Sequence, residues 1–176
     1  KSENQGFYLT VTILWIALIE SAAIYWLIVA FQILWEPSVA WVAAIWIGLA
    51  VGLAWLWVWI WEGVMLSSWV SAICLNNKYR SRILTFMILF LALIESAAIY
   101  GLIISFQMFW MDNLPMYVAI WAGLSIWLAW LWVGLWEWIL AGKSIDMIWK
   151  TPTMQSFYLT ITILWVALVE SAAIYG

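Results

Sequence analysis

The chain has 176 residues, 69% of them apolar and 9% charged, with a mean hydropathy of +1.06 and a formal net charge of −3. A soluble domain carries about a quarter of its residues charged, so this composition excludes one and indicates an all-α polytopic membrane protein. With no histidine and a single cysteine, Cys74, the chain has no internal disulfide, no Cys/His zinc site and no His-based catalysis.

Polar punctuation at 1–6, 36–38, 76–82, 112–115 and 150–156 separates five apolar segments, which predict helices over 7–35, 39–75, 82–111, 116–149 and 157–176. Most exceed the roughly 20 residues that cross a bilayer. Backbone amides in hydrocarbon must bond within their own segment, and no alternating ten-residue strands are present, so helices rather than a barrel are expected. The cations Lys1, Lys78, Arg80, Arg82, Lys143 and Lys150 lie in or beside alternate connections, whereas the turns around Glu36 and Asp112 hold none. The basic loops are therefore expected on the cytoplasmic side. Each repeat reads as a transmembrane hairpin. Residues 1–36 hold the second helix of an incomplete hairpin, 37–111 a complete one, and 112–176 another whose second helix is cut short. The whole reads as a fragment of a longer tandem array.

The hexapeptide Glu-Ser-Ala-Ala-Ile-Tyr occurs three times, placing Glu20, Glu95 and Glu170 at intervals of 75 residues inside apolar runs. A carboxylate at the centre of a span costs on the order of 3 kcal/mol on insertion scales, and such residues mark ion or proton pathways. Glu62 and Glu137 are also 75 apart, and each precedes the glutamate of its partner helix by 33 residues. In a hairpin folded near Asn77, residues 62 and 95 are about equally far from the turn, roughly 20–25 Å at 1.5 Å per residue. Two carboxylates meeting at one depth in low dielectric cannot easily both stay charged. One must hold a proton, or a cation must sit between them.

Ser21, Ser96 and Ser171 follow each glutamate at i+1, and Tyr25, Tyr100 and Tyr175 at i+5. These lie about 100° and 140° around the helix from the carboxylate and add oxygens to one polar sector. Oxygen-only ligands suit a hard cation such as Na⁺, or a proton held between oxygens. The plainer alternative is that serine bonds back to its own helix and tyrosine anchors at the interface.

Nineteen tryptophans run through the span centres as well as the ends, which an aromatic belt does not explain. The repeat aligns Trp26 with Gly101 and Gly176, Gly52 with Trp127, Trp59 with Gly134, and Gly63 with Trp138. Glycine lets helices approach closely, while tryptophan adds about 200 Å² of surface, so packing does not permit free exchange of the two. A codon does link them. UGA differs by one base from a glycine codon, and translation tables assign it differently. Most of these tryptophans therefore read as glycines mistranslated from UGA; the alternative is a natural or designed Trp-rich chain. Read as glycine, the segments 55–63 and 130–138 carry small residues at every second place, opening two opposite faces of the first helix for close neighbours.

With that alternating first helix, the polar loops at Asn77-Lys78-Tyr79-Arg80 and Lys150-Thr151-Pro152, and the Glu-Ser-x-x-x-Tyr second helix, the chain resembles the c subunit, or proteolipid, of rotary F-type and V-type ATP synthases. The sodium-coupled branch is the nearest in motif. The resemblance implies a non-catalytic component of a c-ring, with no cofactor beyond the transported Na⁺ or H⁺. It implies Glu20, Glu95 and Glu170 as ion carriers, side chains at Glu62 and Glu137 as further ligands, and serine hydroxyls supplied from the adjacent hairpin. Tyrosines would steady the glutamates, and the carbonyls of Leu18, Leu93 and Leu168 would complete the shell. Many sodium-type members have Gln where this chain has Glu62 and Glu137, which implies a two-carboxylate variant. Ala22, Ala97 and Ala172 lack a hydroxyl that some sodium sites use, which leaves H⁺ coupling open. The implied partners are other c subunits, an a-type stator subunit, central-stalk subunits meeting Lys78, Arg80 and Lys150, and the lipid of a prokaryotic plasma membrane, with no nucleic acid. A proton-coupled small transporter with inverted halves fits less well, because these repeats run parallel and carry two glutamates per hairpin.

Sequencing the coding DNA tests the tryptophan reading directly. UGA is expected at Trp26, Trp59 and Trp127, and UGG at these positions would end it.

Overall fold

A computed structural model describes residues 5–36 and 38–175. Lys1, Pro37 and Gly176, and the side chains of Ala22, Ala97 and Ala173, lie outside the described residues. The chain forms five long helices: α1 (Gln5–Trp35), α2 (Trp41–Leu75), α3 (Arg80–Phe109), α4 (Met116–Lys150) and α5 (Gln155–Ile174). All five are long and apolar enough to cross a membrane. The expected boundaries hold to within about two residues at most ends, because polar and turn-forming residues set them. Short 3₁₀ turns, Asn77–Tyr79 and Pro152–Met154, reverse the chain at the two described basic loops. At the opposite end Asn113 takes a left-handed φ of 54°, which its short side chain tolerates, and Pro115 then leads into α4.

The helices form two layers. α2 and α4 lie side by side, α3 packs on α2, α5 packs on α4, and α1 lies against both α2 and α3. The first helices of the hairpins thus line one layer and the second helices the other. Lipid-facing positions such as Leu9, Ile13, Leu164 and Trp165 remain exposed and apolar, as a membrane solvent permits.

Close approach within the α2–α3 hairpin depends on Gly101. A Cβ there would sit 2.8 Å from the Cβ of Ala54 and 3.0 Å from the carbonyl oxygen of Ala50, both residues being fully buried. One turn further on, the buried Ser105 hydroxyl donates to the Ile47 carbonyl of α2 at 2.9 Å and to Gly101 of its own helix at 2.9 Å. Small residues bring the backbones together, and the serine then ties them with an interhelical hydrogen bond.

Tryptophans meet glycines across the helix interfaces. Trp26 lies over Gly52, Trp46 over Gly123 and Trp61 over Gly134, such that an added Cβ would come within 2.6, 3.0 and 2.8 Å of the respective indoles. Trp26 and Gly52 touch, and their repeat equivalents Gly101 and Trp127 reverse large and small, but the atoms nearest an added Cβ at Gly101 belong to Ala54, Ala50 and Val51 of α2. Gly134 is covered by Trp61, while Trp59 and Gly63 are exposed.

Replacing Gly101 with Leu is expected to overpack the α2–α3 contact and lower stability by about 1–3 kcal/mol. Unfolding in mixed micelles measures this, and Gly142→Leu, where a Cβ would meet nothing within 4 Å, is the control expected to change little.

Candidate ion-binding site

The first helices contribute one buried carboxylate each. Glu62 on α2 is 0% exposed and Glu137 on α4 is 1% exposed. Neither carboxylate has a hydrogen-bond partner for either oxygen among the described residues, and Oε1 of Glu95 is likewise buried and unpartnered. The pairing expected from chain arithmetic is present: Glu62 lies within electrostatic reach of Glu95, and Glu137 within reach of Glu170. Helical rise alone accounts for it, since both members of a pair are about equally far from the basic turn.

A buried carboxylate with no partner costs several kcal/mol, so these oxygens require a proton or a cation. No group of three or more His, Cys, Asp or Glu side chains among the described residues could hold a metal ion. The chemistry open to the cluster is therefore that of two carboxylates with hydroxyl and carbonyl oxygens.

The serines adopt both arrangements that the sequence allowed. Ser96 on α3 donates its hydroxyl to Oε1 of Glu170 on α5 at 2.5 Å, reaching from one hairpin to the next. Ser21 and Ser171 instead donate back to the carbonyls of Leu18 and Leu168, each at 2.6 Å. A serine hydroxyl has one proton and here two competing acceptors, the i−3 carbonyl and the neighbouring carboxylate. The Leu18 and Leu168 carbonyls thus sit beside the serines, while Leu93 is half-buried against the core.

The tyrosines are placed differently from the expectation that they steady the glutamates. Tyr25 stacks on Trp55 with centroids 5.6 Å apart, and Tyr100 stacks in the same way on Trp130 at 5.5 Å. No hydrogen bond joins their phenols to a glutamate among the described residues, and Tyr175 is 88% exposed. Large indoles at 55 and 130 offer each ring a flat partner and hold it there. Glu20 is exposed on the open side of α1, and Glu170 is half-buried.

At the basic end, adjacent hairpins are joined by polar contacts that sequence reasoning did not anticipate. Asn76 donates to the Trp149 carbonyl at 3.4 Å, and Arg82 donates to Oε1 of Gln155 at 3.1 Å. Both bonds span 73 residues, close to the repeat length, which was the one signal that could have suggested them. Arg80 bonds Asn77 at 3.2 Å and lies over the Phe7 ring, Lys78 lies over Tyr79, and Lys150 pairs with Asp146 at 4.0 Å.

Residues 45–108 match the family model of the ATP synthase c subunit. The match takes in most of α2, the basic turn and nearly all of α3, and so includes both Glu62 and Glu95. The repeat carries the same motifs into α4 and α5 at a spacing of 75. No curated protein matches the chain.

Ser96→Ala is expected to remove the bond between hairpins and lower stability by about 1 kcal/mol. Ser21→Ala, which removes only a bond within one helix, should leave mixed-micelle unfolding nearly unchanged.

Proposed function

We propose that the chain is an ion-carrying rotor component of a membrane ATP synthase, in which each mid-membrane glutamate pair takes up Na⁺. The match of the α2–α3 hairpin to the c-subunit family supports the family part of this reading. The observation that carries the site is the Ser96–Glu170 bond beside the buried Glu137: two carboxylates and a hydroxyl contributed by successive hairpins. The same hydroxyl oxygen has lone pairs to offer a cation once its proton turns away.

In this proposal Glu20, Glu95 and Glu170 carry the ion, and Glu62 and Glu137 share the negative charge. One carboxyl of each pair keeps a proton while Na⁺ is bound, so the site crosses lipid with little net charge. A bare carboxylate facing hydrocarbon is costly, so rotation with an empty ionised site is blocked. Each ion moved contributes about 2.3 kcal/mol per 100 mV, and the basic loops bearing Lys78, Arg80 and Lys150 pass the torque to a stalk on the cytoplasmic side. The polar contacts between neighbouring loops favour such a role, because they make the basic ends of adjacent hairpins one connected surface. The hairpin divisions at 1–36, 37–111 and 112–176, the ring partners, the stator and the prokaryotic plasma membrane belong to the same proposal.

Dicyclohexylcarbodiimide, which attacks protonated carboxyls, is expected to label Glu95 in membranes at neutral pH. Na⁺ should slow the labelling and K⁺ should not. Labelling that Na⁺ leaves unchanged would assign the site to H⁺, and no labelling of any glutamate would sink the rotor reading.

A further inference from the structure

Three buried polar side chains that the carboxylate site does not use lie within the α4–α5 hairpin. Ser144 on α4 is 5% exposed, and Thr162 and Gln155 on α5 are 7% and 8% exposed. The Ser144 hydroxyl has no hydrogen-bond partner among the described residues, and both oxygens of Glu137 are in the same condition. Ser144 follows Glu137 by seven residues, which puts the two on one face of α4, about 10 Å apart along its axis. Thr162 follows Gln155 by the same interval on α5. Hairpin arithmetic brings the two helices into register. Glu137 and Glu170 lie within reach of each other, so Ser144 and Thr162 share a depth to within about 2 Å. Gln155 completes the series at the basic end, where its Oε1 accepts a hydrogen bond from Arg82.

The α2–α3 hairpin holds no such series. Its equivalents of Ala141, Ser144 and Thr162 are Leu66, Trp69 and Met87. Trp69 and Met87 are fully buried, and Trp69 meets the Phe90 ring edge-on with centroids 6.0 Å apart. In the α4–α5 hairpin the equivalent of Phe90 is Trp165, which is 52% exposed, and the ring pair is lost. α1 repeats the α5 pattern with Gln5 and Thr12, whereas α3 has Arg80 and Met87 at these places. Glycine at 69, as the UGA reading supplies, would bring no oxygen either.

We propose that bound water in the α4–α5 hairpin connects Glu137 and Glu170 to the basic end through Ser144, Thr162 and Gln155, and that Glu62 and Glu95 have no equivalent connection. A buried hydroxyl or carboxylate without a protein partner takes up water where the site is polar and has room. Alanine and serine in place of leucine and indole free more than the roughly 30 Å³ that one water occupies in the liquid. Thr162 donates its proton to the Tyr158 carbonyl at 2.7 Å, which leaves its lone pairs as acceptors. A water between the helices donates to Thr162 and accepts from Ser144, and further waters lead on to the oxygens of Glu137. The inference deepens the ion-site reading by giving alternate glutamate pairs unequal access to water, and it rests on that reading only for what the path carries.

The test uses the full chain in lipid nanodiscs with Cys74→Ser as background, and Ag⁺, which attacks thiols that water reaches, as the probe. Ser144→Cys and Thr162→Cys are expected to react at least ten-fold faster than Met87→Cys, the equivalent of the second in the other hairpin. Gln155→Leu should slow both reactions several-fold, because it closes the path at the basic end. Water-edited solid-state NMR of the unaltered chain, labelled at threonine and methionine, needs no cysteine; transfer from water to Thr162 and none to Met87 is expected. Cysteines at 144 and 162 that react no faster than the one at 87, rates that Gln155→Leu leaves unchanged, or a Thr162 that receives nothing from water would overturn the proposal. Carbodiimide labelling is read separately: reactive cysteines without labelled glutamates keep the water path and remove the ion reading, and labelled glutamates with unreactive cysteines do the reverse.

Discussion

The structure is organised around the cost of placing carboxylates where there is no water. An ionised side chain at the middle of a span is disfavoured by several kcal/mol, yet α2 and α4 each bury one completely and α3 carries another with an unpartnered oxygen. Two-layer packing makes this tolerable, because it turns Glu62 and Glu137 inward and sets Glu95 and Glu170 within reach of them. Pairing like charges does not relieve the cost by itself. It creates a demand for a positive partner, a proton or a cation, at a fixed depth.

Close packing of the first helices meets a second constraint, that of volume. Small residues let α3 approach α2 at Gly101, Ala50 and Ala54, but α2 and α4 are separated by indoles seated over glycines. The stack of Trp61 on Trp138, with centroids 5.3 Å apart, fills the space between first helices beside Glu62 and Glu137 in the chain. The same crowding of indoles draws Tyr25 and Tyr100 into ring stacks. The tryptophans therefore govern more than helix spacing, because they also hold the rings of Tyr25 and Tyr100 in place.

Much of this was legible in the sequence because the membrane simplifies the code. Apolar runs bounded by polar turns gave five helices, and the 33-residue offset between Glu62 and Glu95 gave a shared depth, since rise per residue is the same along both limbs of a hairpin. Azimuth was less accessible. The 75-residue period showed that Trp59 and Gly134 are equivalent, but not that Gly134 lies beneath Trp61. That fact required the orientation of two helices about their axes. The loop bonds from Asn76 and Arg82 were hidden for a similar reason, being made by ordinary polar residues whose meaning comes only from the register of neighbouring hairpins.

The serines show why one repeated motif can take more than one state. Ser21, Ser96 and Ser171 share their local sequence and helical setting, yet only Ser96 reaches across to a glutamate, while the other two bond the carbonyl three residues back. The two arrangements differ by rotation about one side-chain bond, and each satisfies the same donor. Local propensity therefore cannot choose between them. The choice falls to the neighbouring carboxylate, which must lie close and offer a lone pair. A hydroxyl balanced between its own helix and the next hairpin keeps a partner in either arrangement, so neither state strands a buried polar group.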